Sequence, residues 1–71
     1  MKSESITILA NGKTEQVESP CSVAEFVSGC GWKATQVVVE YNGRGLSRAE
    51  LTQTMLKSDD SLEVIVPVAG G

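Results

Sequence analysis

Histidine is absent from this 71-residue sequence, and Phe, Tyr and Trp occur once each. Without histidine the chain lacks the side chain that most often acts as a general base near neutral pH. No glycine-rich phosphate loop precedes a helix either. Trp32 follows a predicted helix, where we expect it to cover the core rather than to stack on a base. With no catalytic constellation found, we predict that the protein is not itself an enzyme.

Long apolar runs and clusters of positive charge are missing as well. No apolar stretch approaches the roughly 20 residues needed to span a bilayer, and the N-terminal segment lacks the apolar core of a secretory signal. Six basic residues stand against nine acidic ones, for a net charge of −3. Nucleic-acid binding needs concentrated Lys and Arg. We therefore expect a cytoplasmic protein, monomeric when free, that binds neither membrane nor nucleic acid, whereas a basic protein partner is compatible with its charge.

Cysteine is limited to Cys21 and Cys30. Two cysteines are too few for a secreted disulfide framework, and their spacing fits no zinc site. We interpret both as buried or half-buried structural thiols, with a redox or catalytic thiol as the alternative. The adjacent carboxylates of Asp59 and Asp60 are interpreted as a solvated turn rather than as a metal site, so no metal ligands are assigned.

The first third of the chain has the pattern of a hairpin and a helix. Apolar residues alternate up to Ala10, and Asn11-Gly12 then favours a tight turn with positive φ. The polar return strand over 13–18 suits a sheet edge. Ser22 and Glu25 match a capping box at a helix start. The helix would bury one apolar stripe, made of Val23, Phe26, Val27 and Cys30.

The rest of the chain predicts a strand, a short helix and a last strand. Asn42-Gly43 closes the strand in "TQVVVEYNGRG". Ser47 and Glu50 form a second possible capping box, followed by apolar contacts at Leu51, Met55 and Leu56. The last strand, from Leu62 to Val68, is nearly all apolar and β-branched, so we predict that it lies inside the sheet beside the first strand.

This order of elements predicts a two-layer α+β domain, with a mixed four- or five-stranded sheet packed on one main helix. We assign the domain to residues 1–67 and a flexible, extended tail to residues 68–71.

The tail ends on Gly70 and Gly71. Glycine has no Cβ and permits close backbone approach, so such a tail could thread a narrow active site of another protein. Its carboxylate could attack the α-phosphate of ATP to give an acyl adenylate, from which a nucleophile would displace AMP. The alternative is that the two glycines end the chain by chance.

Several short stretches carry a resemblance over essentially the whole chain. They are "ILANGK", "SVAEFV", "VVVEYNG", "SRAEL" and "DSLEVIVPVAGG". In this order and spacing the sequence resembles the ubiquitin-like β-grasp sulfur carriers, and most closely the ThiS family of thiamine biosynthesis. Two features depart from the family pattern. Asp59-Asp60 replaces a frequent Gly-Asp, and Pro67 is reminiscent of molybdopterin-synthase small subunits.

The resemblance implies a carrier that is a co-substrate. Gly71 would be adenylated by a ubiquitin-activating-type, ThiF-like adenylyltransferase and converted to a thiocarboxylate. A ThiG-like thiazole synthase would then receive the sulfur. Val68, Ala69 and Gly70 would thread the partner's active site. The carrier would bind no cofactor, since ATP and Mg²⁺ would belong to the activating partner.

Strand alternation also predicts a docking surface. If the helix-facing set is Ile6, Ile8, Leu62, Val64 and Val66, then Leu9, Ile65 and Pro67 point away from the helix. We expect adjacent strands to bring these three together as an exposed apolar patch for a partner. Three alternatives to a thiamine carrier stay open: a molybdopterin-type carrier, a ubiquitin-like modifier, and a β-grasp binding module with incidental glycines.

Overall fold

Two Asn-Gly turns build the hairpins of the computed structural model, which describes residues 4–67. The first hairpin joins β1 (Glu4–Ala10) to β2 (Lys13–Ser19) in antiparallel register. Asn11 and Gly12 at its turn have φ of 52° and 79°. Positive φ at both central residues matches the right-handed twist of the flanking strands, which is why Asn-Gly is favoured there.

The main helix, α1 (Val23–Gly29), follows the hairpin. The predicted capping box is present: Ser22 Oγ accepts from the Glu25 N–H at 3.0 Å, and the Ser22 N–H donates to Glu25 Oε1 at 2.9 Å. Gly31, with φ of 93°, turns the chain away after the helix. A 3-10 turn at Ala34–Gln36, which the sequence analysis did not predict, leads into the next strand.

The second hairpin joins β3 (Val38–Tyr41) to β4 (Arg44–Leu46) through Asn42-Gly43. The short helix α2 (Arg48–Gln53) then starts at the second predicted capping box, in which Ser47 Oγ accepts from the Glu50 N–H at 3.2 Å.

The last strand, β5 (Ser61–Ile65), occupies the centre of the sheet. The strand order is β2-β1-β5-β3-β4, and β5 runs parallel to β1 and antiparallel to β3. The predicted mixed sheet is therefore confirmed with five strands, with the last strand beside the first and β2 at an edge. The strand is shorter than predicted, because it ends at Ile65 rather than continuing to Val68.

One apolar core holds the helices on a single face of the sheet. Leu51 and Leu56 belong to it as predicted. The buried set comprises Ile8, Val23, Val27, Val39, Leu51, Leu56 and Leu62.

Two predicted core contacts are wrong. Cys30 is exposed although it is the C-cap of α1 and its N–H still donates to the Phe26 carbonyl at 3.1 Å, so the buried part of the stripe does not extend to its fourth position. Met55 is 45% exposed. It lies after α2 in a segment that bridges Ser22, where alternation buries Leu56 and turns Met55 outward.

Trp32 and Val66 are also less buried than predicted, at 42% exposure each. Val66 lies on the helix side of the sheet as predicted, but it follows the end of β5, where the core no longer covers it fully. Trp32 follows Gly31, beyond α1, and covers the core only partly.

Candidate functional site

The end of β5 is where the chain leaves the sheet toward the predicted tail. On one side β5 pairs with β3 as far as Val38 opposite Ile65. On the other side its pairing with β1 stops at Ala10 opposite Leu62, because β1 enters the hairpin turn at the next residue. The backbone of Val64 therefore has a strand partner on the β3 side only.

The side chain of Asn11 replaces the missing partner. Its Oδ1 accepts from the Val64 N–H at 2.7 Å, and its Nδ2 donates to the Val64 carbonyl at 3.2 Å. Its own N–H donates to the Leu62 carbonyl at 2.9 Å. A residue at the tip of the first hairpin thus holds the end of the last strand, 53 positions away along the chain.

Asn42 plays a similar part at the start of β5. Its Oδ1 accepts from the Ser61 N–H at 2.8 Å, and its backbone N–H donates to the Ser61 carbonyl at 2.8 Å. Its Nδ2 donates to Asp60 Oδ1 at 3.1 Å. The asparagines of the two hairpin turns therefore hold β5 near its two ends.

Asp60 is a buried acceptor, only 6% exposed, and the interpretation of both turn carboxylates as solvated is wrong for it. Its Oδ2 accepts from the Tyr41 hydroxyl at 2.8 Å and from the Lys57 N–H at 2.7 Å. Burial alone would raise the pKa of Asp60, but the hydrogen bonds from Lys57, Tyr41 and Asn42 hold that pKa below its usual value. Burial, and then the hydrogen bond and charge of Asp60, raise the pKa of Tyr41.

Asp59, by contrast, is exposed and has φ of 72°. Glycine adopts a left-handed conformation of this kind most readily, and aspartate is among the residues that tolerate it, so Asp59 fits this turn.

The outer face of the sheet, away from the helices, carries Leu9 and Ile65 of the predicted docking patch, whereas Pro67 follows the end of β5. Ile65 and Leu9 are 47% and 43% exposed, and Pro67 is exposed too. The register does not place Leu9 beside Ile65, however. Leu9 lies opposite Ser61, four residues earlier in β5 and so roughly 13 Å away along the strand.

The direct neighbour of Ile65 on this face is Val38, which is 48% exposed. The sequence alone does not indicate Val38, because it lies in a run of three valines, where alternation does not say which one points outward. Beside this pair, Glu40 lies directly opposite Glu63 on the same face.

A cleft of about 230 Å³ lies on the helix side of the sheet, between the first hairpin turn, the end of α1 and the end of β5. Phe26, Cys30, Trp32 and Val66 contribute to its walls. The exposed thiol and indole therefore lie close to the end of the last strand.

Within residues 4–67, no group of three or more His, Cys, Asp or Glu side chains is placed to hold a metal ion. No helix in this described part of the chain is long and apolar enough to cross a membrane. The predicted tail residues Val68, Ala69, Gly70 and Gly71 lie outside the described residues.

Sequence comparison identifies the family of proteins to which this fold belongs. The model of the ThiS family matches residues 4–71. The chain belongs to the ThiS family. Membership supports a role as a sulfur carrier and suggests that the protein works with biosynthetic enzymes. No curated protein sequence matched the chain.

Two solved structures agree with this assignment. The crystal structure of the thiamine biosynthesis protein ThiS from Geobacter metallireducens is 30% identical, with a TM-score of 0.77 over 93% of this chain and 100% of that one. The solution structure of a thiamine biosynthesis protein from the same organism is also 30% identical, with a TM-score of 0.76 over 93% of this chain and 88% of that one. The predicted β-grasp fold is thereby confirmed.

Proposed function

We propose that the chain is the sulfur carrier of thiamine biosynthesis, with the Gly71 carboxylate as its reactive group. The observation that carries the proposal is the ThiS family match, which runs through the last residue, Gly71. The position of β5 supports it, because a strand held between two neighbours gives the following residues a firm attachment.

In the proposed reaction a carboxylate oxygen of Gly71 attacks the α-phosphorus of ATP, and pyrophosphate leaves. Hydrosulfide released by a sulfur donor then attacks the acyl carbon, AMP leaves with loss of a proton, and a thiocarboxylate remains. The thiocarboxylate sulfur is passed on to form the thiazole. Val68, Ala69 and Gly70 precede the reacting group with small or absent side chains at the last positions, which suits a narrow active site.

The ATP and Mg²⁺ of this reaction belong to a ThiF-like adenylyltransferase, and the sulfur acceptor is a ThiG-like thiazole synthase. The carrier contributes its terminal carboxylate and a docking surface. We place that surface on the outer face of the sheet at Ile65 and Val38, extending toward Pro67. Leu9, four residues away in register, lies at its periphery.

Intact-mass measurement tests the reaction. The full chain is incubated with the adenylyltransferase, Mg²⁺-ATP and a sulfur donor, beside a matched chain that lacks Gly71. We expect the full chain alone to gain the mass difference of sulfur replacing oxygen. Higher-mass covalent adducts would indicate a ubiquitin-like modifier. An unmodified terminus would exclude both and indicate a β-grasp binding module with incidental glycines. Sulfur donation as the small subunit of a molybdopterin synthase, rather than to thiazole synthase, would indicate the molybdopterin-type carrier.

Charge substitution tests the docking surface. Ile65→Glu and Val38→Glu change exposed residues, so folding should be retained. Each should raise the KM for adenylation by about tenfold, the loss that corresponds to ~1.4 kcal/mol of contact energy. Leu9→Glu is the matched control and should have a smaller effect. Unchanged adenylation of the Ile65→Glu protein would refute the placement.

A further inference from the structure

Asn11 does more than its turn requires. Positive φ at this position is satisfied by Asn, Asp or Gly in a tight hairpin turn. The contact with Val64 is more selective, because one side chain must both accept from a backbone N–H and donate to a backbone carbonyl. Among those three residues only asparagine has both groups, since an ionised carboxylate only accepts and glycine has no side chain.

The geometry is that of one extra step in a parallel ladder. In the ladder of β1 and β5, the Asn11 N–H donates to the Leu62 carbonyl. Evenly spaced parallel bonding would next take the Val64 N–H to the carbonyl of residue 11, and the N–H of residue 13 to the Val64 carbonyl. The chain turns at Asn11, so both backbone groups are lost to the ladder. The side-chain amide supplies an acceptor and a donor in their place.

This step determines how far β5 is held on both sides. With the Asn11 side chain, the strand has partners on both edges at Val64, one residue before its end at Ile65. Without it, two-sided pairing would stop at Leu62, and only β3 would hold the three residues that follow. The chain would then leave the sheet from a looser segment.

We propose that Asn11 is a positioning residue for the adenylation of Gly71. It acts through Val64 by fixing the point and direction at which the chain leaves the sheet toward the partner's active site. The proposal rests on the proposed function, because it takes the terminal carboxylate as the reacting group. Orientation of a reacting group contributes to the rate of the chemical step, whereas docking through Ile65 and Val38 contributes to binding.

Asn42 provides the matched control. It has the same left-handed conformation, the same following glycine and a side chain bonded to the same strand. It holds the start of β5, at the end away from the tail. Asn11→Gly and Asn42→Gly therefore both remove side-chain bonds to β5 while keeping a residue that accepts positive φ.

The test measures adenylation by ATP–pyrophosphate exchange with the ThiF-like enzyme, and amide hydrogen exchange at Val64, using full chains shown to be folded at the assay temperature. For Asn11→Gly we expect kcat to fall about tenfold while KM stays nearly unchanged. A loss of this size is reasonable, because a misplacement of the reacting group by ~1 Å can lower the rate ~100-fold. Val64 exchange should become faster. Asn42→Gly should lower stability but leave kcat, KM and Val64 exchange as in the wild type.

Asn11→Asp separates the two halves of the contact. The carboxylate keeps an acceptor for the Val64 N–H but places an oxygen against the Val64 carbonyl in place of a donor. We expect Val64 exchange slower than in the Asn11→Gly protein, together with kcat below that of the wild type. A wild-type kcat for Asn11→Asp would overturn the need for the donor.

Equal kcat in the Asn11→Gly and Asn42→Gly proteins, or unchanged Val64 exchange in the former, would overturn the positioning role while the carrier function stands. If the wild-type chain itself supports no exchange, the proposed function fails and the positioning role fails with it.

Discussion

At the residue scale, the buried carboxylate of Asp60 accepts three hydrogen bonds. Its two carboxylate oxygens accept from Tyr41, Lys57 and Asn42, and so connect β3, its turn and the loop before β5. No buried side-chain nitrogen or oxygen among residues 4–67 lacks a hydrogen-bond partner. In so small a core, replacing one acceptor should therefore leave donors without a partner.

We predict that Asp60→Asn lowers the free energy of unfolding by about 1–3 kcal/mol, because an amide nitrogen faces at least one of these donors. Asp59→Asn is the control. It changes the same group at an exposed position where asparagine tolerates the left-handed conformation, and it should be nearly neutral. Urea unfolding of both variants measures the difference. Equal free energies of unfolding for the two variants would show that the hydrogen bonds to Asp60 do not stabilise the fold as described.

The lowered pKa of Asp60 predicts a pH dependence with a definite sign. A carboxyl group whose pKa is lower in the folded state contributes stability above its unfolded value of about 3.9, and loses it as the pH falls through the folded value. Wild-type stability should therefore drop below about pH 4, and this part of the drop should be absent from Asp60→Asn. Urea midpoints measured across this range check the prediction, and parallel curves for the two proteins would contradict it.

The two cysteines should differ in reactivity. Burial, followed by the charge of Glu25, raises the pKa of the half-buried Cys21, whereas Cys30 is exposed in the cleft wall. Because the thiolate is the reactive form, a soluble disulfide reagent at neutral pH should modify Cys30 first. Cys21→Ser should keep the fast phase and Cys30→Ser should remove it. A fast phase that is lost with Cys21 would contradict the assignment.

At the element scale, the helices are too short to be stable alone. They have seven and six residues, where an isolated helix needs about 12–15 to be even marginal in water. Each therefore depends on its cap and on its buried face. The α1 cap is buried, with Ser22 6% exposed, whereas the α2 cap at Ser47 is exposed.

We predict that Ser22→Ala destabilises more than Ser47→Ala. Removal of a helix cap costs about 0.5–2 kcal/mol, and the higher end should apply at the buried Ser22, whose bond from the Glu25 N–H is partly buried. The bond from the Glu50 N–H to Ser47 is exposed, so water can replace it after Ser47→Ala and the lower end should apply there. Urea unfolding followed by Trp32 fluorescence compares the two, and a larger loss for Ser47→Ala would contradict the burial argument.

The same scale shows what the sequence could predict. Both capping boxes and both Asn-Gly turns depend on residues at most three positions apart, and all four were predicted. The burial of Asp60, the pairing of Val38 with Ile65 and the bond from Asn11 to Val64 were not. Each depends on strand register or on a contact across 18 or more residues, which local patterns do not contain. The error at Cys30 is of another kind, since the helical period reaches this C-cap residue but does not show where the buried part of the helix ends.

At the scale of the whole molecule, the two faces of the sheet differ in charge. The register places Glu18, Glu40 and Glu63 on the outer face, with the exposed pair Val38 and Ile65. The basic residues in the described strands are Lys13 and Arg44. Both lie on the helix-facing side of the sheet, because Lys13 pairs with Ala10 and Arg44 pairs with Tyr41. The proposed docking face is thus apolar and acidic, which favours a partner surface that combines apolar contacts with Lys or Arg.

The pair of Glu40 and Glu63 allows a test of the acidic docking face. Like charges directly opposite each other destabilise a sheet by about 0.2–1 kcal/mol. Glu40→Gln should therefore raise the free energy of unfolding. It should also slow association with the ThiF-like partner at low salt, and the difference should vanish near 1 M salt, where the screening length is ~3 Å. Urea unfolding and stopped-flow association at two salt concentrations give the two readouts.

Glu15→Gln is the matched control, since it removes the same charge from the opposite side of the sheet, in register with Ile8. It should change neither the cross-strand repulsion nor the contact face, so its association rate should follow that of the wild type. If Glu40→Gln and Glu15→Gln slow association equally, the partner responds to net charge alone. If only Glu40→Gln slows it while stabilising the fold, the glutamate pair lowers stability and serves recognition on the outer face.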